Sequence, residues 1–427
     1  MIYSKQFGFR SNHSTNHAII SLTEHIRQLL DKGHYACGIF IDLEKAFDTV
    51  SHNILCNKLE FYGLRGNINR LLQSYLGNRK QYVSLNGIDS EVKDVTCGVP
   101  QGSSLGPLLF LLYINDFRFC LSKTSSGHFA DDTFIVYNSK KAKTIETIID
   151  TELKHVVEWL ALNKLSLNAN KTELIFFYSK RHAFNYDNLS IKFCGKKLIP
   201  VNHVKYLGMY LDKHLSWNVH IQELSKKLSR ANGLLSKLRY NAPFSTCLQV
   251  YYAIFYSYLI YGCNVWGLTT KENLDKIEIL QKKCVRILNF APFNSPTNRF
   301  FIDMKLLKVR DIINVHQLKL AYDYFTNNLP WELTNLFSLS SEMHTTHMHL
   351  NSARKNLFHI SKINTETYGN KSIKHHCALL WNETFKNGIS INGNPLENKS
   401  PSVIKNSHHL IRILKSHYLY KYSLENE

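Results

Sequence analysis

The four residues Phe129-Ala130-Asp131-Asp132 constrain the fold of this chain more than any other stretch. A polar segment rich in Ser and Thr precedes them, and the apolar run Thr133–Tyr137 follows. This pattern predicts two short β-strands joined by a tight turn that contains the Asp-Asp pair. Neighbouring carboxylates repel each other and apolar strands desolvate them, which costs free energy unless a cation is bound. A solvated Asp-Asp turn is the alternative that these residues alone leave open.

A third carboxylate, Asp42, directly follows the apolar run Tyr35–Ile41, which predicts a buried strand. If this strand and the Asp-Asp hairpin belong to one antiparallel sheet, their ends meet and the three carboxylates lie together. Carboxylate oxygens are hard ligands that suit Mg²⁺, whose coordination is completed by water and substrate phosphates. Two such ions, about 3.5–4 Å apart, would activate a 3′-hydroxyl and stabilise a leaving pyrophosphate.

Hydrophobic periodicity and turn residues predict the other elements of the chain. The predicted helices lie at about 15–32, 52–62, 67–76, 105–119, 143–163, 218–240, 246–262, 271–290 and 305–326. Two further hairpins are predicted, one with strands at about 81–85 and 91–96 around Asn86-Gly87, and one with strands at about 165–167 and 172–178. The pattern becomes helical from Trp217 onward, which indicates domains at about 1–215, 216–337 and 338–427, the last of them polar and weakly periodic.

The charge and cysteine content limit the partners and the compartment. The 427 residues include 52 Lys and Arg against 33 Asp and Glu, a formal net charge of +19. A surplus of this size indicates a polyanionic partner such as a nucleic acid, or an anionic membrane surface. The nine Cys are scattered singly, which indicates reduced thiols in an intracellular protein, in the nucleus or the cytoplasm. No signal peptide is recognisable, and the uncharged stretch Leu248–Leu268 is interpreted as a buried helix rather than a membrane span.

Six sequence motifs, in a fixed order and at workable spacing, resemble the reverse transcriptase domain of non-LTR retrotransposons, with the jockey-like branch nearest. They are Gln-Phe-Gly-Phe-Arg (6–10), Phe-Ile-Asp-Leu-Glu-Lys-Ala-Phe-Asp-Thr-Val (40–50), Gly-Val-Pro-Gln-Gly-Ser-Ser-Leu-Gly-Pro (98–107), Phe-Ala-Asp-Asp (129–132), Leu-Asn-Ala-Asn-Lys-Thr (167–172) and Val-Lys-Tyr-Leu-Gly (204–208). The helical stretch that follows them is similar to the thumb and the next region of the same elements.

The resemblance implies an α+β fold of the right-hand polymerase type. Partial fingers and a palm with an antiparallel sheet would be followed by an all-α thumb and a C-terminal helical region. The implied activity is that of an RNA-directed DNA polymerase, with an RNA template, a DNA primer, their RNA–DNA hybrid and deoxynucleoside triphosphates as partners. Asp42 and Asp131, with Asp132 beside them, would hold two Mg²⁺ ions, or Mn²⁺.

The resemblance also implies roles for residues around this metal site. Phe47 matches the bulky residue beneath the incoming sugar, where a ring collides with a 2′-hydroxyl, with a core aromatic as the alternative. Gln101 and Gly102 would contact the nascent base pair, with a helix-capping loop as the alternative. Lys171 matches the lysine that protonates departing pyrophosphate, with a solvated turn lysine as the alternative. Arg10 matches a cation that contacts the triphosphate, with an ordinary surface arginine as the alternative.

The predicted thumb and the hairpin before it would hold the nucleic acid. Tyr206, Leu207 and Gly208 resemble the hairpin that grips the primer end, and ordinary strand contacts are the alternative. Cations of the predicted thumb would follow the phosphates of an RNA–DNA duplex without reading its sequence. These cations are Lys226, Lys227, Arg230, Lys237, Arg239, Lys282, Lys283 and Arg286.

The chain departs from the family pattern at its start. Only five residues precede Gln-Phe-Gly-Phe-Arg, where the family carries a further basic fingers block and, in most elements, an endonuclease. We therefore expect an N-terminally truncated reading frame with a complete metal site and incomplete fingers. A catalytically silent remnant that only binds nucleic acid is the alternative function. An RNA-dependent RNA polymerase is a weaker alternative, since those enzymes commonly carry a polar residue at the position of Phe47.

Overall fold

The computed structural model describes residues 2–122, 124–181, 184, 189–343, 356–387, 390–391, 394–395 and 404–424. The chain divides into two compact units. The first comprises Met1–Ala18 and Gly33–Asn202, and the second comprises Ile19–Lys32 and His203–Glu427. The predicted domain ranges 1–215, 216–337 and 338–427 stay predictions, and part of the last range lies outside the described residues.

Short strands and helices follow one another along the first unit. In chain order, after helix α1 (Thr15–Asp31), they are β1 (Tyr35–Ile41), α2 (His52–Phe61), α3 (Asn67–Leu76), β2 (Arg79–Gln81), β3 (Ser84–Leu85), β4 (Ile88–Asp89), β5 (Lys93–Val95), α4 (Leu105–Ile114), β6 (Ser125–Phe129), β7 (Asp132–Ser139), α5 (Ala142–Leu162), β8 (Glu173–Phe177), β9 (Lys192–Phe193) and β10 (Lys196–Lys197).

The main sheet of this unit has the strand order β6-β7-β1-β8, and every neighbouring pair is antiparallel. All but the first residue of β1 are buried, because strands flank it on both edges and helices supply apolar side chains to the same core. Helix α5 contributes Ile145, Ile149, Leu153 and Val156, which lie at helical spacing on one face. The predicted α+β class with an antiparallel sheet is confirmed.

The long helix predicted at 105–119 is interrupted. Helix α4 ends at Ile114, and a separate 3₁₀-helix spans Phe117–Cys120. The turn between them contains Asp116, whose Oδ1 accepts hydrogen bonds from Lys58 Nζ at 2.8 Å and from Trp159 Nε1 at 3.2 Å. Partners from distant parts of the chain therefore hold this turn, which periodicity alone does not reveal.

The hairpin predicted at 81–96 forms as two short ladders. Strand β2 pairs with β5, and inside that pair β3 pairs with β4. Asn86 and Gly87 form the predicted turn between Leu85 and Ile88, with φ angles of 51° and 79°. Both residues lie in the left-handed region, as the favoured two-residue hairpin turn requires.

The hairpin predicted from 165–167 and 172–178 is wrong. Strand β8 pairs with β1 instead, and Leu167 forms an isolated antiparallel bridge with Leu43, just after β1. Leu167 and β8 therefore lie one after the other along the same side of β1, and the turn at residues 168–172 separates them. This turn does not join two strands that pair with each other. The prediction failed because the turn residues are compatible with both arrangements, and only the neighbouring strand distinguishes them.

The second unit begins with one hairpin and continues as helices. Its elements are β11 (His203–Tyr206), β12 (Met209–Asp212), α6 (Asn218–Leu238), α7 (Phe244–Val250), α8 (Ser257–Ile260), α9 (Cys263–Trp266), α10 (Lys271–Leu288), α11 (Asn298–Asp303), α12 (Val309–Phe325), α13 (Ser340–Met343), α14 (Ile373–Asn387), β13 (Ser390–Ile391), β14 (Asn394–Pro395) and α15 (Ser407–Leu424). Single π-helical turns span Tyr251–Tyr256 and Glu366–Asn370, and a 3₁₀ turn spans Trp331–Leu333. No helix within the described ranges is both long and apolar enough to cross a membrane.

Two of the predicted thumb helices differ from the structure. The helix predicted at 246–262 is divided into α7, the π-helical turn and α8, and Gly262, with a φ of 65°, separates it from α9. A Cβ on Gly262 would lie 2.6 Å from Met209 Sδ, so the close approach of β12 requires glycine there. The helix predicted at 305–326 starts only at Val309, whose N–H donates to Gln281 Oε1 at 2.8 Å.

Helix α1 contributes its residues from Ile19 onward to the second unit. Glu24, which is 3% exposed, accepts hydrogen bonds from the N–H groups of Ile373 and Lys374 at the start of α14. Burial raises the pKa of Glu24, and its neighbours Arg27, Ile373 and Lys374 act in the opposite direction. Two turns further along the helix, Asp31 accepts the N–H and hydroxyl of Thr365 at 2.8 and 2.7 Å. Two acids of α1 thus bind the backbone of the C-terminal region.

Candidate active site

The register of the main sheet places Asp42 next to the Asp-Asp pair. Ile41, the last residue of β1, pairs with Thr133 of β7. Asp42 therefore follows β1 at the same end of the sheet at which β7 begins with Asp132. The convergence follows from the antiparallel pairing of two buried, largely apolar strands, which leaves polar residues only at their ends.

The Asp-Asp pair lies in a two-residue turn between β6 and β7. Phe129 pairs with Asp132, so Ala130 and Asp131 form the turn itself. Ala130 has a φ of 57°, in the left-handed region that costs a residue other than glycine roughly 1–2 kcal/mol. The turn is thus held in an unfavourable backbone conformation by its surroundings, a common property of functional sites.

The three carboxylates act on one another electrostatically. Burial raises the pKa of Asp131, and the charge of Asp42 raises it further. Burial likewise raises the pKa of Asp132 to about 6, with added contributions from Asp131 and Asp42. Asp131 is half-buried and Asp132 is exposed, so solvent and ligands reach the cluster. An arrangement that disfavours its own negative charge is prepared to receive a cation.

The donor set suits a hard divalent cation that brings part of its own coordination shell. Among the residues that the structure describes, no three acidic, His or Cys side chains converge closely enough to hold an ion unaided. Mg²⁺ does not need such a cage, because it is commonly bound by one or two carboxylates and completed by waters and substrate phosphates. Asp42 and Asp131, with Asp132 beside them, are oxygen donors of that kind.

Phe47 lies in the turn that follows β1 and Asp42. Its ring stacks on Phe110 of α4 with 4.3 Å between ring centroids, and the edge of Phe9 approaches it at 6.3 Å. Phe110 is fully buried, whereas Phe47 is half-buried and Phe9 is 60% exposed. The ring of Phe47 is therefore anchored on its inner side and accessible on the other.

Gln101 and Gly102 lie in the exposed loop before α4. The Nε2 of Gln101 donates to Asp48 Oδ1 at 2.8 Å, which ties this loop to the turn after β1. Gly98, at the start of the loop, approaches the same turn so closely that a Cβ there would lie 2.8 Å from the carbonyl oxygen of Asp48. Gly102 has a φ of 80° and open space where a Cβ would be. Asp48 therefore anchors the loop through its side chain and its backbone.

Lys171 and Arg10 contact this region in different ways. Lys171 Nζ lies 3.8 Å from Asp42 Oδ2, and its side chain is 71% exposed. The backbone N–H of Asn168 donates to the carbonyl oxygen of Asp42 at 2.9 Å and keeps the lysine's turn beside the acid. The Nη1 of Arg10 donates to the carbonyl oxygens of Tyr3, Ser4 and Gln6 at 2.8 to 3.1 Å. Arg10 therefore also shapes its own loop.

The residues predicted to grip the primer belong to the second unit. Tyr206 pairs with Met209, and Leu207 and Gly208 form the turn between β11 and β12, with φ angles of 45° and 77°. The hydroxyl of Tyr261 donates to the carbonyl oxygen of Leu207 at 2.5 Å and holds this turn. Tyr206 itself is buried, at 4% exposure.

Comparison with known proteins identifies the family of the first unit. The model of the family described as reverse transcriptase (RNA-dependent DNA polymerase) matches residues 1–211. Residues 1–211 are a reverse transcriptase domain. The family predicted from the six motifs is confirmed for these residues.

Curated relatives of this reverse transcriptase domain come from mobile elements of insects. The chain is 30% identical to the probable RNA-directed DNA polymerase from transposon X-element of Drosophila melanogaster, over 73% of this chain and 34% of that protein. It is 28% identical to the RNA-directed DNA polymerase from mobile element jockey of the same species, over 72% of this chain and 34% of that protein. The chain thus spans about a third of the length of these relatives.

Two solved telomerase structures resemble the chain. The telomerase of Candida albicans, solved with a fragment of telomeric RNA, matches 81% of this chain and 55% of that one, with a TM-score of 0.39 and 11% identity. The apo telomerase of Candida tropicalis matches 70% of this chain and 50% of that one, with a TM-score of 0.35 and 14% identity.

The repulsion within the reverse transcriptase site predicts a trade-off between stability and function. Asp132→Asn is expected to raise the free energy of unfolding of the metal-free protein by about 1 kcal/mol at pH 7, a modest gain because solvent screens the exposed side chain. A carboxyl pKa raised from 3.8 to about 6 means that ionisation destabilises the folded state. The gain should therefore be absent below pH 4 and complete above pH 6. Urea unfolding in EDTA, carried out below pH 4 and at pH 7, measures the difference in free energy of unfolding between the variant and the wild type.

The control for this prediction is Asp94→Asn, since Asp94 is 73% exposed on β5 and contacts only Lys80, at 3.9 Å, among the ion pairs described. It should leave the free energy of unfolding unchanged at both pH values. A loss of stability for Asp132→Asn at pH 7 would contradict the repulsion that we describe.

Two residues that bond to the turns of the candidate residues, one in each unit, were not recognised from sequence. Gln6 belongs to the Gln-Phe-Gly-Phe-Arg motif, in which only Arg10 received a role, yet its buried side chain bonds to the Asp-Asp turn. Tyr261 lies in the helical region and holds the turn at Leu207. The motif could have drawn attention to Gln6, because a glutamine that is buried together with its neighbour Phe7 needs a polar partner. No local signal identifies Tyr261.

Proposed function

We propose that this chain is the RNA-directed DNA polymerase of a non-LTR retrotransposon. In this reaction, deoxynucleotides are added to the 3′-end of a DNA primer on an RNA template. The observation that carries the proposal is the convergence of Asp42, Asp131 and Asp132 at one end of an antiparallel sheet within a reverse transcriptase domain. Burial, and to a smaller extent the neighbouring carboxylates, raise the pKa values of Asp131 and Asp132, which is the electrostatic state that a cation relieves.

Enzymes of the reverse transcriptase family use divalent metal ions. In this chain Asp42 and Asp131 would hold them, with Asp132 beside them, and two Mg²⁺ ions or Mn²⁺ suit these oxygen donors. When bound, such ions favour ionisation of the primer 3′-hydroxyl and neutralise charge on the leaving pyrophosphate. The contribution of the protein is to keep the carboxylates oriented and partly desolvated before substrate arrives, so that little reorganisation is needed.

We propose that the surrounding side chains select and orient the deoxynucleoside triphosphate. The accessible face of Phe47 would lie beneath the sugar, where its ring leaves no room for a 2′-hydroxyl. Gln101, held by Asp48, and Gly102, with its open backbone, would approach the nascent base pair. Lys171 is near enough to Asp42 to carry a proton toward departing pyrophosphate, and Arg10 would contribute positive charge near the triphosphate.

The nucleic-acid partners would be an RNA template, a DNA primer and their hybrid. The formal net charge of +19 supports polyanionic partners. We propose that the turn at Leu207 and Gly208 contacts the primer end, since Tyr261 keeps its backbone in one conformation. The basic groove on α6 and α10 would follow phosphates of the hybrid, and it is lined by Ser225, Lys226, Ser229, Arg230 and Lys276, among others.

Primer extension tests this function directly. Purified full-length chain is incubated with oligo(dT) annealed to poly(rA), dTTP and Mg²⁺, and incorporation is measured. We expect extension that depends on the divalent ion and is lost in Asp42→Asn. If the wild-type chain binds primer-template, measured by fluorescence anisotropy, and still incorporates nothing, the polymerase proposal fails and a silent nucleic-acid-binding protein remains.

A further inference from the structure

The side chain of Gln6 is bound to the backbone of the catalytic turn. Gln6 is 2% exposed, and its Oε1 accepts the N–H of Ala130 at 2.9 Å. The same oxygen accepts the N–H of Gly8 at 2.9 Å, and the Nε2 donates to the carbonyl oxygen of Ala130 at 3.4 Å. One carboxamide therefore engages both polar backbone groups of the residue that precedes Asp131.

Ala130 is the residue whose conformation determines where the two carboxylates point. Its φ of 57° reverses the chain between Phe129 and Asp131. The left-handed region is disfavoured for alanine, so the turn needs external bonds to persist in this conformation. Within β6 and β7 the ladder closes at Phe129 and Asp132, outside the turn. The hydrogen bonds between the Gln6 side chain and Ala130 therefore hold the backbone of Ala130 itself.

The backbone around Gln6 lies against the same turn. The N–H of His128 donates to the carbonyl oxygen of Lys5 at 2.9 Å, and the N–H of Phe7 donates to that of His128 at 2.8 Å. The segment thereby extends the sheet beyond β6 by one short bridge. Gly8 comes so close that a Cβ on it would lie 2.4 Å from the backbone nitrogen of Ala130. Only glycine fits this approach.

Arg10 stabilises the segment that carries Gln6. Its Nη1 donates to three carbonyl oxygens of the segment, including that of Gln6 at 3.0 Å. These charge-assisted hydrogen bonds fix the backbone from Tyr3 to Gln6 and so limit where the Gln6 side chain can reach. The motif Gln-Phe-Gly-Phe-Arg thus has a cation that shapes the loop, a glycine that permits close approach, and a carboxamide that binds the turn.

We propose that Gln6 is a positioning residue for the metal-binding carboxylates, acting through the backbone of Ala130. The inference rests on the proposed function, because it assigns Gln6 to the orientation of Asp131 and Asp132. It assigns a role to a buried side chain whose hydrogen bonds go to backbone groups of Ala130 and Gly8. Residues that orient metal ligands from outside the coordination shell typically change metal affinity or activity by ten- to a hundred-fold when replaced.

Gln6→Met tests the proposal, since methionine keeps the length of the side chain and removes both hydrogen-bonding groups. Mn²⁺ binding to the full chain is measured by calorimetry without substrate, and amide exchange at Ala130 by mass spectrometry of the peptide that contains it. We expect the Mn²⁺ Kd to rise about ten- to a hundred-fold. The Ala130 amide should exchange at least about ten-fold faster. With primer-template, kcat should fall while the KM for dTTP stays unchanged.

Two controls separate positioning from a general loss of structure. Gln73→Met changes an exposed carboxamide on α3 that donates to Asn69 Oδ1 at 2.9 Å, and it should leave all three measurements unchanged. Ile149→Val removes one methylene from the core of the same unit, and it should lower stability without moving the Mn²⁺ Kd. Gly8→Ala is a second, independent disturbance of the turn and should reproduce the Gln6→Met result. It decides the question if Gln6→Met does not fold.

The outcomes for Gln6 and for the polymerase proposal are distinguishable. If the wild type incorporates dTTP and Gln6→Met keeps wild-type Mn²⁺ affinity and Ala130 exchange, the positioning role is overturned and the function stands. If the wild type incorporates nothing and Gln6→Met still weakens Mn²⁺ binding, the function fails and the positioning role stands. If the wild type binds no Mn²⁺ at all, the positioning role fails together with the metal site.

Discussion

Asp131→Asn is expected to reduce single-nucleotide incorporation on an RNA template by at least about 10³-fold. Removing one carboxylate ligand takes away several kcal/mol of charge stabilisation in the transition state, and each 1.4 kcal/mol is about a factor of ten in rate. The amide keeps the shape of the side chain, so folding should be intact. Rapid-quench measurement with saturating primer-template, dTTP and Mg²⁺ gives the rate.

Two controls accompany the measurement on Asp131→Asn. The affinity of this variant for primer-template should equal that of the wild type, since phosphates are held by cations elsewhere. Asp94→Asn, which removes one exposed carboxylate of the same unit on β5, should incorporate nucleotides at the wild-type rate. A ten-fold effect or less for Asp131→Asn would mean that Asp131 is not a principal metal ligand.

Phe47→Ala is expected to raise the use of ribonucleotides relative to deoxynucleotides by about 10²-fold. The accessible face of the ring would occupy the space of a 2′-hydroxyl, and discrimination of one small group by a steric contact is typically worth 10- to 200-fold. The ratio of kcat/KM for UTP and dTTP measures the change. Because Phe47 stacks on Phe110, we also expect a loss of about 1–2 kcal/mol of stability.

Phe9→Ala separates the two effects of the Phe47 substitution. It removes the ring that lies perpendicular to Phe47, with 6.3 Å between ring centroids, and leaves the ring of Phe47 in place. The ratio of UTP to dTTP use should then change little. If Phe47→Ala retains wild-type discrimination while Phe9→Ala loses it, the sugar is read by Phe9, and the role predicted for Phe47 is wrong.

Local patterns were sufficient to predict the Asp-Asp hairpin and the end of the sheet at which the carboxylates lie. The run after Asp132 and the run before Asp42 are apolar, so both strands were recognisable as buried, and antiparallel pairing of buried strands brings their ends together. The six motifs then indicated the family, which the comparisons confirm for residues 1–211. The roles of individual side chains stay predictions, since the structure gives their positions and not what they do in a reaction.

What the sequence did not reveal depends on contacts between distant residues. Gln6 and Ala130 are 124 residues apart, and nothing near either one indicates the hydrogen bond. The partner of β8 was misassigned because two segments are candidates for it. The nearer segment at 165–167 was predicted, and the structure has β1. Gly262 ends its helix because Met209 approaches it, and this close approach is a property of the folded unit. Helical periodicity carries no information about such neighbours.

The binding of the C-terminal region by helix α1 has a consequence for how the chain can be divided. The segment Ile19–Lys32 belongs to the second unit but lies in sequence between the two parts of the first. No single cut therefore releases either unit intact. A fragment that stops at 337 would lose the N–H donors of Ile373 and Lys374 and leave Glu24 buried without them. Helix α1 and the C-terminal region of the second unit therefore depend on each other, because a change at position 24 and a change near 373 alter the same hydrogen bonds.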